Sequence, residues 1–444
     1  MISTKHGSGA GGASRRVPLI PLTLLAALTL AGAAACSSSS STASSGGGAS
    51  SSATSPASGS GSGSASAASS TSASAALAPF LLGKKATGTA VKIGLINNEG
   101  SSPVAEPATG DAAVAAADYA NDELGGIAGH PIQVDRCSEN EDTASATACA
   151  NKMVQDNVAA VVIGTTGFGN TMVPIITKAG IPYVSATGSS SAELTSPDTF
   201  MWTGGFPADL GGMAKYAASK GIKKVTAYVI NTPSAIEGAQ SVGAPLFKAA
   251  GVALTIEPVP FGVADATPQV TAGLAGKPGG AAIVADAGTC TSILKALTTV
   301  SPGLPTMGNT SCLNTSTLTA LGSAMNGVRI MGRSDTQSDS PEAQLYRYVM
   351  AKYYPADSPT GDTVTGYQGM LGLVRALSTL TGDPTPATII TAIKAATNVP
   401  VPAGAGLTFT CDGKAMAGLT SNCSAGDVVL TVQNGMATDP QVFK

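Results

Sequence analysis

Cysteine carries the most distinctive chemistry in this 444-residue sequence, which contains seven cysteines. Six of them form three local pairs, whose partners are 12, 22 and 12 positions apart. A zinc site would require closely spaced cysteines with histidine partners, and neither is present. We therefore predict three disulfides, which indicate an exported protein, although the sequence alone leaves other pairings open. The predicted pairs are Cys137–Cys149, Cys290–Cys312 and Cys411–Cys423.

The seventh cysteine, Cys36, follows a segment with the layout of an export signal. A basic region precedes an apolar run at 19–30 and three alanines at 33–35, which form a small-residue cleavage site. The alanines and Cys36 resemble a bacterial lipobox, in which a diacylglycerol is attached to the thiol. We predict a signal peptide over 1–35 and lipidation of Cys36. Cleavage that leaves a free thiol is the alternative.

A stretch dominated by Ser, Gly and Ala follows this cysteine. Residues 37–74 can bury little apolar surface, so their composition predicts a disordered tether. A coil of this composition and length reaches roughly 30–35 Å, which is enough to hold a folded domain away from a membrane. We assign 36–86 to the lipidated cysteine and this tether.

The overall composition argues against several classes of function. Only 11% of the residues are charged, the formal net charge is −3, and no basic cluster occurs, so a nucleic-acid partner is not expected. No later apolar stretch is long enough to span a membrane. The remaining part, 87–444, is longer than one hydrophobic core usually serves, which predicts two lobes.

The residues of common catalytic sites are largely missing. Of the two histidines, His6 lies in the predicted signal peptide and His130 precedes a proline at a strand start. Without a G-x-S-x-G motif, a Ser-His-Asp triad is poorly supported. Ser292 and Lys295 match S-x-x-K, but no K-T-G accompanies them, and no P-loop or dinucleotide motif opens a helix after the first strand. We expect no catalysis, metal or cofactor, and an exported α/β hydrolase is a weak alternative.

The elements that position any site alternate between short β-branched runs and alanine-rich stretches. "VKIGLI" at 91–96 predicts a buried strand, and 109–124 places apolar residues on one helical stripe before a Gly-Gly stop. Further units follow, and the rhythm restarts with "KKVTAYVI" at 223–230, while "DVVLTVQ" predicts a closing strand. This alternation predicts parallel sheets with helices on both faces, in two successive lobes.

Four phrases follow one another in the first half of the folded part: "VKIGLINN", "DAAVAAADYANDELGGIAGHPIQVD", "VAAVVIGTTG" and "VPIITKAGIPYVSATG". Their order and spacing resemble the type I periplasmic-binding-protein family, nearest to the receptors of branched-chain amino acid and amide ABC transporters. The resemblance implies an α/β fold of two doubly wound Rossmann-like lobes joined by a hinge, with the ligand cleft between them. We expect lobe 1 to comprise 87–205 with a return segment at 334–383, and lobe 2 to comprise 206–333 with the C-terminal segment 384–444.

The resemblance also implies a function. Such a protein is exported and held by its lipid at the outer face of the cytoplasmic membrane, with no other membrane contact. It captures a small amino acid or amide-like solute and delivers it to the permease subunits of an ABC transporter, and we expect it to be a monomer. A sensor of the same fold that signals to a membrane partner would share these features, so that alternative stays open.

Two loops of the first lobe are the predicted binding surface. Loops 164–170 and 186–191 each follow a strand and open a helix, where unpaired N–H groups favour an anion. Family members hold a substrate carboxylate with hydroxyls and amides of these two loops; ordinary Gly/Ser turns are the alternative. The residues to which the resemblance assigns this role are Thr166, Gly167, Phe168, Gly188, Ser189 and Ser190.

The second lobe departs from the family pattern. Amino-acid receptors usually place an aromatic residue after the first strand of this lobe, whereas this chain ends that loop with Ile236. Asp286 and Asn309 follow later strands, and Asp286 is predicted either to hold a ligand ammonium or to cap the following helix. In the first lobe, Glu99 follows the first strand and either faces the cleft or is solvated.

Overall fold

The computed structural model describes residues 75–100 and 105–443. The predicted signal peptide, the lipidation site Cys36 and the tether up to residue 74 therefore lie outside the described residues.

The first half of the folded part builds a five-stranded parallel sheet in the order β2-β1-β3-β4-β5. Its strands are short and largely buried, as expected where helices cover both faces of a parallel sheet. The strands are β1 Val91–Asn98, β2 Ile132–Glu139, β3 Ala160–Ile163, β4 Tyr183–Ser185 and β5 Thr199–Met201. The helices between them are α1 Pro107–Glu123, α2 Thr143–Gln155, α3 Gly169–Lys178 and α4 Ser191–Thr195.

Helix α1 shows how the sequence sets these boundaries. Pro107 occupies the first turn, where a missing N–H costs nothing. The alanines of the helix are buried against the sheet, and Gly125 and Gly126 adopt positive φ values of 82° and 66° after its end. The Gly-Gly stop predicted from the sequence is therefore present.

A second sheet follows, with seven strands in the order β14-β13-β10-β9-β8-β6-β7. Five of its strands are parallel: β6 Lys224–Ile230, β7 Ala253–Val259, β8 Gly280–Val284, β9 Thr306–Asn309 and β10 Arg329–Gly332. The helices of this part are α5 Gly205–Ser219, α6 Pro233–Gly238, α7 Ala244–Ala249, α8 Thr267–Leu274, α9 Ala287–Val300 and α10 Thr315–Leu321. Helices α6 and α7 are joined by a π-helical turn at Ala239–Gly243.

The chain after β10 adds helices to the first sheet. These are α11 Pro341–Tyr353, α12 Thr363–Ala376 and α13 Pro386–Ala395, followed by the short strands β11 Val399–Pro400 and β12 Thr408–Phe409. Helix α12 packs directly on α1, and the indole N–H of Trp202 donates to the carbonyl oxygen of Gly369 at 3.0 Å. The amide of Cys423 donates to the Met201 carbonyl at 2.8 Å, so the segment up to this residue also lies against the first sheet.

The chain closes on the second sheet with an antiparallel hairpin, β13 Asp427–Gln433 and β14 Met436–Phe443. Its turn is Asn434-Gly435, with φ values of 51° and 77°, as a two-residue hairpin turn of this composition requires. The sequence analysis predicted β13 and missed β14. Of the segment 384–444 that we assigned to lobe 2, the strands at 427–443 belong to the second sheet, whereas the part before them contacts the first.

Within the described residues the chain thus passes between the sheets after β5, after β10 and before β13. The three predicted disulfides are present in the structure. Among the residues that the structure describes, no helix has both the length and the apolar character needed to cross a membrane.

Candidate functional site

A cavity of about 230 Å³ lies where the carboxyl ends of strands from both sheets meet. This is the position at which ligands bind in doubly wound sheets. The first sheet contributes the loops after β3 and β4, and the second contributes residues after β9 and β10 together with helix α5. The lining residues are Ile163, Gly164, Thr165, Thr166, Thr187, Gly188, Ser189, Glu193, Phe206, Asp209, Asn309, Thr310, Ser311, Arg333 and Asp362.

The loop after β3 is fixed by Asn97, the buried side chain near the end of β1. Its carbonyl oxygen accepts the Thr165 amide at 2.9 Å, and its amide group donates to the Glu106 carbonyl at 2.9 Å. A side chain at Gly164 would overlap this amide group. The strand end therefore holds the loop in place before any ligand arrives, and Thr165 and Thr166 face the cavity from a fixed position.

The loop after β4 is organised by Glu193, whose buried carboxylate also lines the cavity. This carboxylate accepts hydrogen bonds from the Ser189 amide at 3.1 Å, the Ser190 amide at 3.0 Å and the Tyr183 hydroxyl at 2.7 Å. The Ser190 hydroxyl lies 2.8 Å from the same carboxylate and caps helix α4. Of the donors that we predicted for a ligand anion, those of Ser189 and Ser190 are thus engaged by a carboxylate of the protein itself.

The structure separates the residues predicted in the first lobe into two groups. Thr166, Gly188 and Ser189 line the cavity. Gly167, Phe168 and Ser190 belong to the same loops but do not line it. The Phe168 ring instead packs against the apolar side of the sheet.

Glu99 does not face the cleft, and it is not merely solvated either. Its carboxylate pairs with the Arg136 guanidinium at 2.7 Å and accepts the Asn97 amide group at 3.0 Å. Arg136 pairs in turn with Asp111 of helix α1 at 2.6 Å. The acid is therefore engaged in an ion pair beside β1.

In the second sheet, Asn309 lines the cavity, and Asp286 and Ile236 do not. Asn309 bridges two strand ends, since its side-chain amide donates to the Ala285 carbonyl at 3.1 Å. Asp286 is the N-cap of helix α9 and accepts the Gly288 and Thr289 amides at 2.9 and 3.2 Å. Ile236 packs instead against an apolar cluster on one face of the second sheet.

Besides Glu193, three charged residues line the cavity, and the sequence analysis selected none of them. Arg333 follows β10, with a side chain only 12% exposed, and lies between Asp209 of α5 and Asp362, which precedes α12. Its terminal nitrogens are 3.8 Å from the Asp209 carboxylate and 3.6 Å from the Asp362 carboxylate. These separations allow Coulomb attraction but are too long for hydrogen bonds.

Burial perturbs the acids of this group. Asp209 is 6% exposed, and burial raises the pKa of its carboxyl to about 7, against the opposing effect of Arg333 and with a further contribution from Asp362. A wider hollow, continuous with the cavity through Ser311 and Asp362, contains Glu106 and Asp286. Burial, followed by the charge of Asp362, raises the pKa of Glu106 to about 8.

Sequence features could have pointed to part of this group. Charged residues are scarce in this chain, so a charge directly after a predicted strand, such as Arg333 after "GVRIMG", is informative. Asp209 and Asp362 lie on or before helices and carry no such signal. Among the described residues, no group of three or more acidic, cysteine or histidine side chains is arranged to hold a metal ion.

Comparisons with known proteins show which family this chain belongs to. Among curated proteins, none matches the chain in sequence. Solved structures match closely in fold, each with a sequence identity that supports the fold alone. A possible leucine/isoleucine/valine-binding protein from Rhodopirellula baltica is 16% identical, with 81% of this chain and 98% of that chain covered and a TM-score of 0.65.

Two further structures extend the comparison. The branched-chain amino acid transporter substrate-binding protein of Streptococcus pneumoniae, in complex with isoleucine, is 20% identical, with 80% and 99% coverage and a TM-score of 0.65. A fatty acid ABC transporter substrate-binding protein from Thermomonospora curvata is 18% identical, with 81% and 94% coverage and a TM-score of 0.62. The periplasmic binding protein family profile matches residues 90–421, well over half of the sequence. The chain therefore belongs to the type I periplasmic binding protein family.

Proposed function

We propose that this protein is an extracellular solute-binding lipoprotein that captures a small amino acid or amide-like solute and delivers it to the permease of an ABC transporter. The observation that carries the proposal is the cavity between the two sheets, because its polar walls come from both. A site of this kind is complete only when both lobes contribute to it.

The architecture supports capture by lobe closure. The first sheet presents hydroxyl and amide groups on two fixed loops, and the second presents Asn309, Arg333 and helix α5. A solute that contacts both walls has a higher affinity for the closed arrangement than for the open one, and this difference shifts the population toward closure. A permease that recognises the closed form would then receive loaded receptor selectively.

Export and anchoring complete the proposal. The signal-like leader, Cys36 and three disulfides support a location outside the cytoplasm. The reach that composition predicts for the tether, roughly 30–35 Å, would let the folded part contact a permease in the same membrane.

A thermal-shift screen of the mature, full-length protein tests the binding function. The screen contains amino acids, their amides and related small solutes, each at millimolar concentration. A solute present at a hundred times its Kd stabilises the folded protein by about 2.7 kcal/mol, which raises the midpoint by several degrees. Hits are confirmed by calorimetry at one site per chain.

The test variant is Asn309→Ala, which removes a cavity-lining amide, and its control is Asn434→Gly in the turn between β13 and β14. We expect the first substitution to weaken binding and the second to leave it unchanged. If no solute of any class raises the midpoint of the wild-type protein, the proposed function is wrong.

A further inference from the structure

Two segments bring the lobes into direct contact beside the cavity. The first, 358–362, lies in the connection between α11 and α12. It belongs to the first lobe, because α12 packs on α1 and the Thr109 hydroxyl of α1 donates to the Asp362 carbonyl at 3.3 Å. The second segment, 311–315, follows β9 and begins α10, so it belongs to the second lobe. A hydrogen bond between these segments therefore joins the two lobes.

Side-chain hydroxyl groups make these contacts. The Ser311 hydroxyl donates to the Asp362 carboxylate at 2.8 Å. The Thr315 hydroxyl lies 3.2 Å from the Thr360 hydroxyl and 3.4 Å from the Ser358 hydroxyl. We call Ser311, Thr315, Ser358, Thr360 and Asp362 the interlobe latch. Its hydrogen bonds form only while the lobes are together, because their partners lie on different lobes.

The contact between Ser311 and Asp362 is the strongest of the latch. Its acceptor is a carboxylate, and charge-assisted hydrogen bonds are stronger than those between neutral groups. Both residues are partly buried and line the cavity, so water competes less for them than for the exposed Thr315 and Ser358. The hydroxyl pairs at the surface add specificity and less free energy.

The second-lobe side of the latch is held in place from within its own lobe. The Asn309 side-chain amide donates to the Ser311 hydroxyl at 3.2 Å and to the Ala285 carbonyl at 3.1 Å. Cys312, the next residue, is joined by its disulfide to Cys290 of α9, and both cysteines are fully buried. The donor therefore loses little side-chain freedom when it meets Asp362, which reduces the entropic cost of the contact.

We propose that the interlobe latch holds a measurable fraction of the molecules closed before any solute binds. The inference goes beyond the proposed function, since it concerns the protein without solute. It has a consequence for affinity. The apparent Kd of a solute that binds the closed form equals its intrinsic Kd divided by the fraction of molecules already closed. The latch therefore lowers the apparent Kd without contacting the solute.

Interlobe distances in solute-free protein test the latch. Lys178 at the end of α3 and Lys248 in α7 are exposed and lie on different lobes. In the mature, full-length protein each is replaced by a ketone-bearing amino acid and spin-labelled there, which leaves the disulfides intact. Dialysis from denaturant first removes solute carried through purification. Double electron–electron resonance then resolves open and closed populations, and we expect a closed population in the otherwise wild-type protein.

A double variant localises the effect. Ser311→Ala combined with Thr315→Val removes both second-lobe hydroxyls of the latch with little change in volume. The ratio of closed to open molecules should fall about 10-fold, the size expected for loss of a hydrogen bond to a charged group.

The matched control is Ser316→Ala combined with Thr319→Val, at exposed positions of the same helix. The Ser316 hydroxyl donates to Asn314 within its own lobe, and the control should keep the wild-type distance distribution. The unfolding midpoint of each variant verifies that it is folded.

The outcomes are distinct from those of the solute screen. A closed population that falls in the latch variant and persists in the control supports the inference. The inference is overturned if solute-free wild-type protein contains no closed molecules, or if the latch variant has the same populations as the wild type. Because no solute takes part in this measurement, the latch can be refuted while the solute-binding function stands, and the converse also holds.

Discussion

The pKa of Asp209 depends on its buried position beside the cavity. Asp209 faces Arg333 and Asp362, and its charge acts on the buried Asp427 of β13. Burial holds the pKa of Asp209 at about 7 in the folded chain, whereas an unfolded aspartate titrates near 4 (about 3.9). At pH values between these two pKa values, the folded chain binds a proton that the unfolded chain has lost.

The sign of the pH dependence follows. The stabilisation linked to Asp209 is complete below about pH 4 and is lost as the pH rises through about 7, because ionisation is then forced on a buried group. Asp209→Asn should therefore flatten the fall of unfolding free energy between about pH 4 and about pH 7, by at most about 1.4 kcal/mol per pH unit. Urea unfolding at several pH values measures both slopes.

The exposed Asp339 supplies the comparison for this titration. Asp339→Asn should keep the wild-type slope throughout the range. An Asp209→Asn protein with that same slope would show that the proton is bound elsewhere, and the buried Asp427 would be the next group to substitute.

Single residues of the site were partly predictable from sequence. Thr166, Gly188 and Asn309 line the cavity because carboxyl ends of parallel strands converge, and strand ends can be read from β-branched runs. Arg333 and Asp362 come together only through chain crossings that no local pattern specifies. Glu193 lies in the helix that follows loop 186–191, but its hydrogen bond with the Ser189 amide depends on the backbone path of the loop.

Among the secondary-structure elements, the tight contact between α1 and α12 is one that the sequence did not reveal. Gly366 of α12 lies against the backbone of Thr109, and a Cβ at this glycine would overlap the Thr109 carbonyl oxygen. Gly366→Ala forces the helices apart, and overpacking of this kind costs about 1–3 kcal/mol. We expect lower unfolding free energy despite the better helix propensity of alanine, measured by denaturant titration.

Gly211 of α5 provides the opposite case within the same protein. A Cβ there would meet only Leu246 Cδ1 at 3.8 Å, an ordinary van der Waals contact. Gly211→Ala should therefore stabilise the protein by up to about 1 kcal/mol through helix propensity. Equal effects of the two substitutions would mean that the helices adjust freely and that the contact at Thr109 is not restrictive.

The alternation of strands and helices was the most predictable level of the fold. Parallel strands buried on both faces leave continuous apolar runs, and the helices that connect them carry apolar stripes and glycine stops. The sequence analysis missed strand β14 because apolar and polar residues alternate only weakly in "MATDPQVF", which also contains a proline. The Asn434-Gly435 pair before it is a strong hairpin signal and would have located this strand.

For the whole molecule, the predicted anchor decides where the receptor works. Expression of the full-length chain in a bacterial host should place it in the membrane fraction, and its intact mass should show a diacylglyceryl group on Cys36. Cys36→Ser removes the acceptor thiol while leaving the folded part unchanged, so this variant should not be retained as a lipoprotein. Wild-type protein that is soluble, begins at Cys36 and carries a free thiol would contradict the anchor.

Each of the three disulfides joins residues that lie on one side of the cavity. Cys137–Cys149 links β2 to α2, Cys290–Cys312 links α9 to the turn after β9, and Cys411–Cys423 closes a loop against the first sheet. In the part of the chain that the structure describes, no disulfide joins one sheet to the other. No disulfide therefore has to break for the lobes to move apart. A reducing envelope would lower the stability of the folded chain by releasing constraints on its unfolded form. It would also release the Cys290–Cys312 bridge beside the site, whose sulfurs lie 3.7 and 3.4 Å from the side-chain oxygen of the cavity-lining Asn309.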